Sequence, residues 1–200
     1  MTDLSPSDWN ERYQRGDTPW DLSGPTPEFQ RLLDEGLLPP KGKVLVPGGG
    51  RGHDAILFAE RGFEVDLVDF APDALRAALE EASRHKAAVY AYCQNFFDLP
   101  SLGYHQNSYD IVLEYTFFCA IDPAQRARYV KTVASLLKPK GWLVGLFFPL
   151  TIDKPGPPFQ VSEAEVRELF GREFELTIEK PKKSVKPREG REFLGLFRKK

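Results

Sequence analysis

The stretch Val44-Leu45-Val46-Pro47-Gly48-Gly49-Gly50-Arg51-Gly52-His53-Asp54 decides how the rest of the chain is read. An apolar run ends in four glycines within five positions, and a segment compatible with a helix follows. Glycine inside a regular element costs roughly 0.5–1 kcal/mol relative to alanine, so the backbone here has a use for the missing side chains. Strand, glycine turn and helix in that order make the first βα turn of a doubly wound sheet, where ligands bind at the C-terminal ends of the strands. Gly48, Gly50 and Gly52 keep a G-x-G-x-G spacing. Position 53 is histidine, so the dinucleotide fingerprint G-x-G-x-x-G is not met, and no Gly-Lys-Ser/Thr phosphate loop follows. The turn admits a ligand close to bare backbone without the signature of a diphosphate cradle.

Outward from this turn, strands and helices alternate. Strands are predicted at 43–46, 64–69, 88–92, 110–115 and 142–148, with helices at 54–61, 72–85 and 123–137. Val130, Val133, Ala134 and Leu137 share one stripe of the last helix. Apolar strands alternating with helices predict a mostly parallel sheet covered on both faces. The last third changes rhythm. A helix over 161–170 opens with the capping box Ser162/Glu165. Strands at 173–179 and 192–197 then follow one another as an antiparallel hairpin, around the basic loop 180–191, "KPKKSVKPREGR". That charge run reads as a solvated hairpin tip, with phosphate or RNA contact as the alternative. The expectation is an α/β, Rossmann-like fold of seven strands in a single domain. Residues 1–40 form an N-terminal arm with a short helix at 28–35, and residues 41–200 form the core.

Composition bounds the function. Two hundred residues, 42% hydrophobic and 28% charged, suit one globular domain with a real core. A net charge of −2 gives no electrostatic reason to expect nucleic acid or an anionic membrane as a partner. No apolar run approaches the roughly 18 residues of a membrane-spanning helix. The N-terminus is too polar for a signal peptide, and Cys93 and Cys119 read as free thiols of a cytoplasmic protein. The three histidines and two cysteines keep no ligand spacing, so no metal is expected.

Asp69 ends the second strand, 17 residues after Gly52. A carboxylate there accepts the two hydroxyls of a ribose. Glycines and acid together predict an adenosine-bearing ligand, for which S-adenosylmethionine is the best candidate. Asn95 and Phe96, at the end of the third strand, are placed at the adenine edge and face, although Asn95 suits a turn equally well. After the fourth strand, "EYTFFCAI" (114–121) is expected to line the acceptor pocket, with Glu114 at the aminoacyl group and Tyr115 positioning the nucleophile. Phe117 and Phe118 would make an aromatic wall, and Cys119 reads as a core thiol.

These residues resemble the thiopurine methyltransferase superfamily, and within it the plant-type halide/thiol methyltransferases. The likeness runs almost end to end, through the arm tryptophans, "VLVPGGGRGHD", "EYTFFCAIDP", "LLKPKGWLVGLFFP", "GPPF" and "PREGREFLGLFRKK". The resemblance implies a class I methyltransferase fold in which Trp9, Tyr13 and Trp20 cover the cofactor and Gly48, Asp69, Asn95, Phe96 and Tyr115 contact it. The chain departs from the plant-type pattern at four places: Tyr13 stands where a third tryptophan is usual, Gly49 for a cysteine, and Asn95 and Glu114 for aspartates. The expected reaction is displacement of the sulfonium methyl by a thiol, hydrosulfide, thiocyanate or halide, without a metal or a dedicated base. Alternatives are a tellurium or selenium oxyanion, nucleic acid or protein as acceptor, or a non-catalytic regulator that binds the same ligand. The expected partner is a small-molecule substrate, with a monomer favoured.

Overall fold

The computed structural model describes residues 5–103 and 105–200, and the chain divides into two compact units, one ending at Phe96 and one beginning at Phe97. The first unit opens with α1 (Pro6–Arg15), a helix whose start follows from its ends. The Ser5 hydroxyl accepts from the Asp8 amide (3.2 Å), the Asp8 carboxylate accepts from the Ser5 amide (2.7 Å), and Pro6 takes a position that needs no donor. Gly16, at φ +70°, closes it. Next come α2 (Pro27–Asp34), β1 (Lys43–Pro47), α3 (His53–Glu60), β2 (Glu64–Asp69), α4 (Pro72–His85) and β3 (Val89–Cys93). The strands run parallel in the order β3-β2-β1, in registers that set Val46 beside Leu67 and Val68 beside Tyr92. Leu45, Phe58 and Leu67 are fully buried at the centre of this unit.

The second unit contains β4 (Tyr109–Tyr115), α5 (Arg126–Leu136), β5 (Leu137–Phe147), α6 (Glu163–Phe170), β6 (Phe174–Glu179) and β7 (Phe193–Lys199). β4 and β5 are parallel, whereas β5–β7 and β7–β6 pair antiparallel, which is the expected C-terminal hairpin. Its core is aromatic: Phe118, Tyr129, Phe147, Phe170 and Phe197 meet ring to ring at centroid distances of 5.3–5.7 Å along the Phe118, Phe147 and Phe170 contacts. Such pairs are worth about 0.5–1.5 kcal/mol each beyond area burial. Seven strands therefore form among the described residues, the strand complement of a Rossmann-like α/β fold with a mixed sheet.

Two local expectations change. β5 starts at Leu137 rather than 142, because Leu137 already pairs with Tyr109 and a register shift between Tyr109 and Ile111 absorbs the Lys-Pro-Lys-Gly segment. The basic loop 180–191 is not wholly a solvated tip. It carries a short 3-10 turn, Lys186–Arg188, that folds Arg188 and the following Glu192 inward, leaving them 5% and 4% exposed. Their charges are taken out of water by specific partners described below, which a reading of charge runs alone does not anticipate.

Candidate cofactor and acceptor sites

In the first unit, Gly48, Gly50 and Gly52 all adopt positive φ (57°, 53° and 77°), the region that side chains with a Cβ rarely enter. The turn is held from β2. The Gly50 amide donates to one Asp69 carboxylate oxygen (3.1 Å) and the Ala71 amide to the other (2.9 Å). Asp69 is buried, and burial raises its carboxyl above the ordinary value against the pull of these amides. A carboxylate accepts at about four lone-pair sites, so it can take further donors while it braces the turn. Beside it, Gln94 follows β3, its amide donating to the Asp69 carbonyl (3.1 Å). The Gln94 side-chain oxygen is buried with no hydrogen-bond partner.

The arm packs on this turn. A Cβ at Gly50 would lie 2.7 Å from the Tyr13 hydroxyl. Burial is the main reason that the Tyr13 phenol is pushed well above its ordinary value, and the nearby Asp69 charge adds to it. The Trp20 indole N–H donates to the Tyr13 oxygen (3.3 Å), and Trp20 meets both Tyr13 and Trp9 edge to face, at 5.7 and 5.2 Å. The Arg12 guanidinium lies 4.5 Å from the Trp20 centroid and 5.6 Å from that of Trp9, so a cation from the chain itself already uses these π faces.

The polar residues after the glycines tie the arm down. Asp54 accepts from both the amide and the hydroxyl of Thr26 (2.7 and 2.8 Å), the residue that starts α2. Asp21 pairs with Arg51 (2.9 Å) and with the His53 ring (3.1 Å). Further back, the Asp73 carboxylate accepts from Asn10 (2.9 Å) and Gln14 (2.7 Å), joining α1 to the start of α4. "RGHD" is thus a set of side chains that gather the arm, a role invisible until the arm has a position. Phe96 is 2% exposed and Asn95 is exposed, so of this expected adenine pair the ring is interior and the amide lies at the surface.

In the second unit, Glu114, expected at the aminoacyl group, is instead 1% exposed with its oxygens engaged inside the fold. One oxygen accepts from the Phe117 and Phe118 amides (3.0 and 2.8 Å), and the other accepts from the Tyr129 hydroxyl (2.5 Å). Burial drives its carboxyl up to about 7, in spite of these donors and the Arg126 charge. The turn it grips is strained: Thr116, β-branched, sits at φ +64°, a conformation that costs on the order of 1–3 kcal/mol. The Cys119 thiol donates to the Thr116 carbonyl (3.4 Å), and burial pushes that thiol up to about 12, so it stays an unreactive S–H as expected. Phe118 joins the core, while Phe117 is half-buried.

This turn presents Tyr115, half-buried, to the folded-in hairpin loop. The Tyr115 hydroxyl donates to Glu192 (3.1 Å), whose other oxygen accepts from the Ser184 hydroxyl (2.6 Å). The Arg188 guanidinium lies 4.5 Å from the Tyr115 ring centroid and 5.0 Å from that of Phe148. Burial raises the Tyr115 phenol well above its ordinary value, opposed by Arg188 and assisted by Glu192.

Comparison with known proteins adds the family. The description "Thiopurine S-methyltransferase (TPMT)" matches residues 4–199. The chain belongs to the thiopurine S-methyltransferase family. It is 34% identical to "Probable thiol methyltransferase 2" of Arabidopsis thaliana, over 100% of this chain and 88% of that protein. It is also 34% identical to "Thiocyanate methyltransferase 1" of Brassica oleracea, over 96% and 84%. Its fold is similar to that of a Burkholderia thailandensis 1,6-didemethyltoxoflavin-N1-methyltransferase, solved with S-adenosylhomocysteine bound, at a TM-score of 0.73 and 23% identity over 97% of this chain and 86% of that one.

As a thiopurine S-methyltransferase family member, the chain is an S-adenosylmethionine-dependent methyltransferase. The first unit fits that cofactor on its own evidence: a turn where Cβ atoms would intrude, a buried carboxylate with spare acceptor sites, and a buried orphan acceptor at Gln94. Sequence reasoning missed Gln94, Arg188 and Glu192. The signal for the last two lay in "PREGREF", where charges sit directly against an apolar strand. Among the described residues no cluster of His, Cys, Asp or Glu could hold a metal ion, and no helix is long and apolar enough to cross a membrane.

Proposed function

We propose that this methyltransferase acts on a small, soft nucleophile: a thiol, hydrosulfide, thiocyanate or a halide. When bound, S-adenosylmethionine supplies a methyl group on a sulfonium, open to direct displacement. Asp69 and the glycine turn hold the ribose, Gln94 and Asn95 meet the adenine edge, and Tyr13, Trp9 and Trp20 keep water away. Tyr115 orients the nucleophile. The single observation that supports this acceptor class is the Tyr115 cluster: one half-buried phenol on an aromatic rim, with a buried guanidinium 4.5 Å from its ring. Such a site suits a compact, polarisable anion or its conjugate acid, and orientation with partial desolvation supplies most of the rate. The thiol and thiocyanate methyltransferases among its relatives support the same reading.

The test is a side-by-side screen of iodide, thiocyanate, hydrosulfide, a small aryl thiol and a thiopurine, measuring the adenosylhomocysteine released. Turnover is expected with at least one of the first four. Turnover with the thiopurine alone, or with none of the five, would overturn the acceptor assignment.

A further inference from the structure

We infer that Glu192, acting through the Tyr115 hydroxyl, is the proton acceptor that lets the protein methylate neutral thiols as well as preformed anions. This rests on the acceptor class proposed above and adds a residue and a preference to it. Halide transfer releases no proton, whereas transfer to a thiol must release one. The structure contains a short, directed path for it. The Tyr115 O–H already points at a Glu192 oxygen (3.1 Å), and the Ser184 hydroxyl fixes the other oxygen at 2.6 Å. Glu192 is 4% exposed, and each of its oxygens meets a hydroxyl donor, Tyr115 on one and Ser184 on the other.

Arg188, on the Lys186–Arg188 turn, lies against the Tyr115 ring and also hydrogen-bonds the Tyr115 side chain. Arg191 lies 5.3 Å from the Phe148 centroid, on the same rim. Cys119, on the turn after β4, feels Glu114, Arg188 and Arg126 but is held as a thiol. The burial-raised phenol means that Tyr115 serves as a relay that exchanges one proton for another, not as a standing tyrosinate.

The step balances. As the new S–CH3 bond forms from the acceptor sulfur's electron pair, its S–H bond breaks and the proton passes to the Tyr115 oxygen. The Tyr115 proton moves to Glu192, and the electron pair of the broken donor S–CH3 bond stays on the donor sulfur, which leaves as a neutral thioether. Arg188 stays charged throughout and favours the anionic character that builds on the acceptor. Glu192 is a positioning residue in this scheme, since only Tyr115 meets the acceptor.

A thiol of pKa about 8.5 is roughly 3% ionised at pH 7, so removing the acceptor leaves a fallback route through the free thiolate, some 30-fold weaker. In Glu192→Gln, the ratio of free cysteine to iodide turnover (kcat/KM) should therefore fall by about 30-fold at pH 7 and return to near the parent value by pH 9.5. The ratio cancels any shared loss from a loosened fold, and calorimetric titration with adenosylhomocysteine should remain within about threefold of the parent. Should Glu192→Gln not fold, the parent protein carries the test. Its kcat/KM for free cysteine should be flat from pH 6.5 to 8, where a protein without an acceptor would show a rise of close to tenfold per pH unit. An unchanged ratio in the variant, or that tenfold rise in the parent, overturns the inference. Iodide turnover without thiol turnover in the parent also overturns it, whereas failure of the whole acceptor screen is a different result that removes the acceptor class itself.

Discussion

Glu114→Gln isolates a carboxyl that burial raises to about 7. Glutamine keeps the shape: its oxygen can still accept from the Phe117 and Phe118 amides, and its NH2 can donate to the Tyr129 oxygen. What disappears is the titration. In the folded state, burial raises the Glu114 carboxyl from 4.5 to about 7. A raised folded value means that the native state holds the proton more tightly, so the associated stability is complete below pH 4.5 and is lost as pH rises through 7. The full shift corresponds to on the order of 3 kcal/mol, of which about 2–3 kcal/mol is lost between pH 5 and 8. With a urea slope of about 1–3 kcal/mol/M, that is a fall in midpoint of roughly 1 M across the window. Urea unfolding of parent and variant at half-unit pH steps supplies the comparison. The parent's midpoint should decline relative to that of the variant from pH 5 to 8, with the steepest divergence between 5 and 7. Parallel profiles would show that Glu114 titrates as an ordinary carboxyl and would refute the reading that burial dominates its environment.

Asp54→Ala strips the buried Thr26 amide and hydroxyl of their acceptor. It should cost about 1–3 kcal/mol in urea unfolding and weaken adenosylhomocysteine binding, because the arm over the glycine turn loosens. If stability and affinity both match the parent, Asp54 is no anchor. Gly49→Ala would place a Cβ 1.9 Å from a methyl carbon of the fully buried Leu67; an overpacking cost of about 1–3 kcal/mol is expected, with most of it relieved in Gly49→Ala/Leu67→Val. Additive losses in the double variant would mean that the clash is absorbed elsewhere.

The fold was legible because its signals are local and repeated. Apolar runs followed by helical stripes located six of the seven strands to within about two residues. The exception, β5, begins early because a bulge carries the chain through Lys-Pro-Lys-Gly, a string that reads as a turn. The glycine turn and Asp69 were legible for the same reason: each stands at the end of a strand whose extent the pattern sets. The rest depended on distance. Asp54 meets Thr26 across 28 positions, and Tyr115 meets Glu192 across 77. Nothing in either segment alone says that its charge is spoken for. Glu114 shows the same limit at a strand end. Its place at a strand end suggested a ligand contact, but Gly145 opposite leaves room for the side chain to turn inward, where the Phe117 and Phe118 amides need an acceptor. The basic loop looked solvated because composition counts charges and does not reveal which of them a short 3-10 turn will fold inward.

Everything functional depends on the claim that the first unit's glycine turn, braced by Asp69, binds the adenosyl group. Calorimetric titration of adenosylhomocysteine into the parent protein and into Asp69→Ala tests it directly. Saturable one-to-one binding is predicted for the parent, with affinity in the variant lower by at least about tenfold, the loss expected when hydrogen bonds worth about 1.5–3 kcal/mol to a charged acceptor are removed. No heat of binding in the parent, or equal affinity in the two, would contradict it.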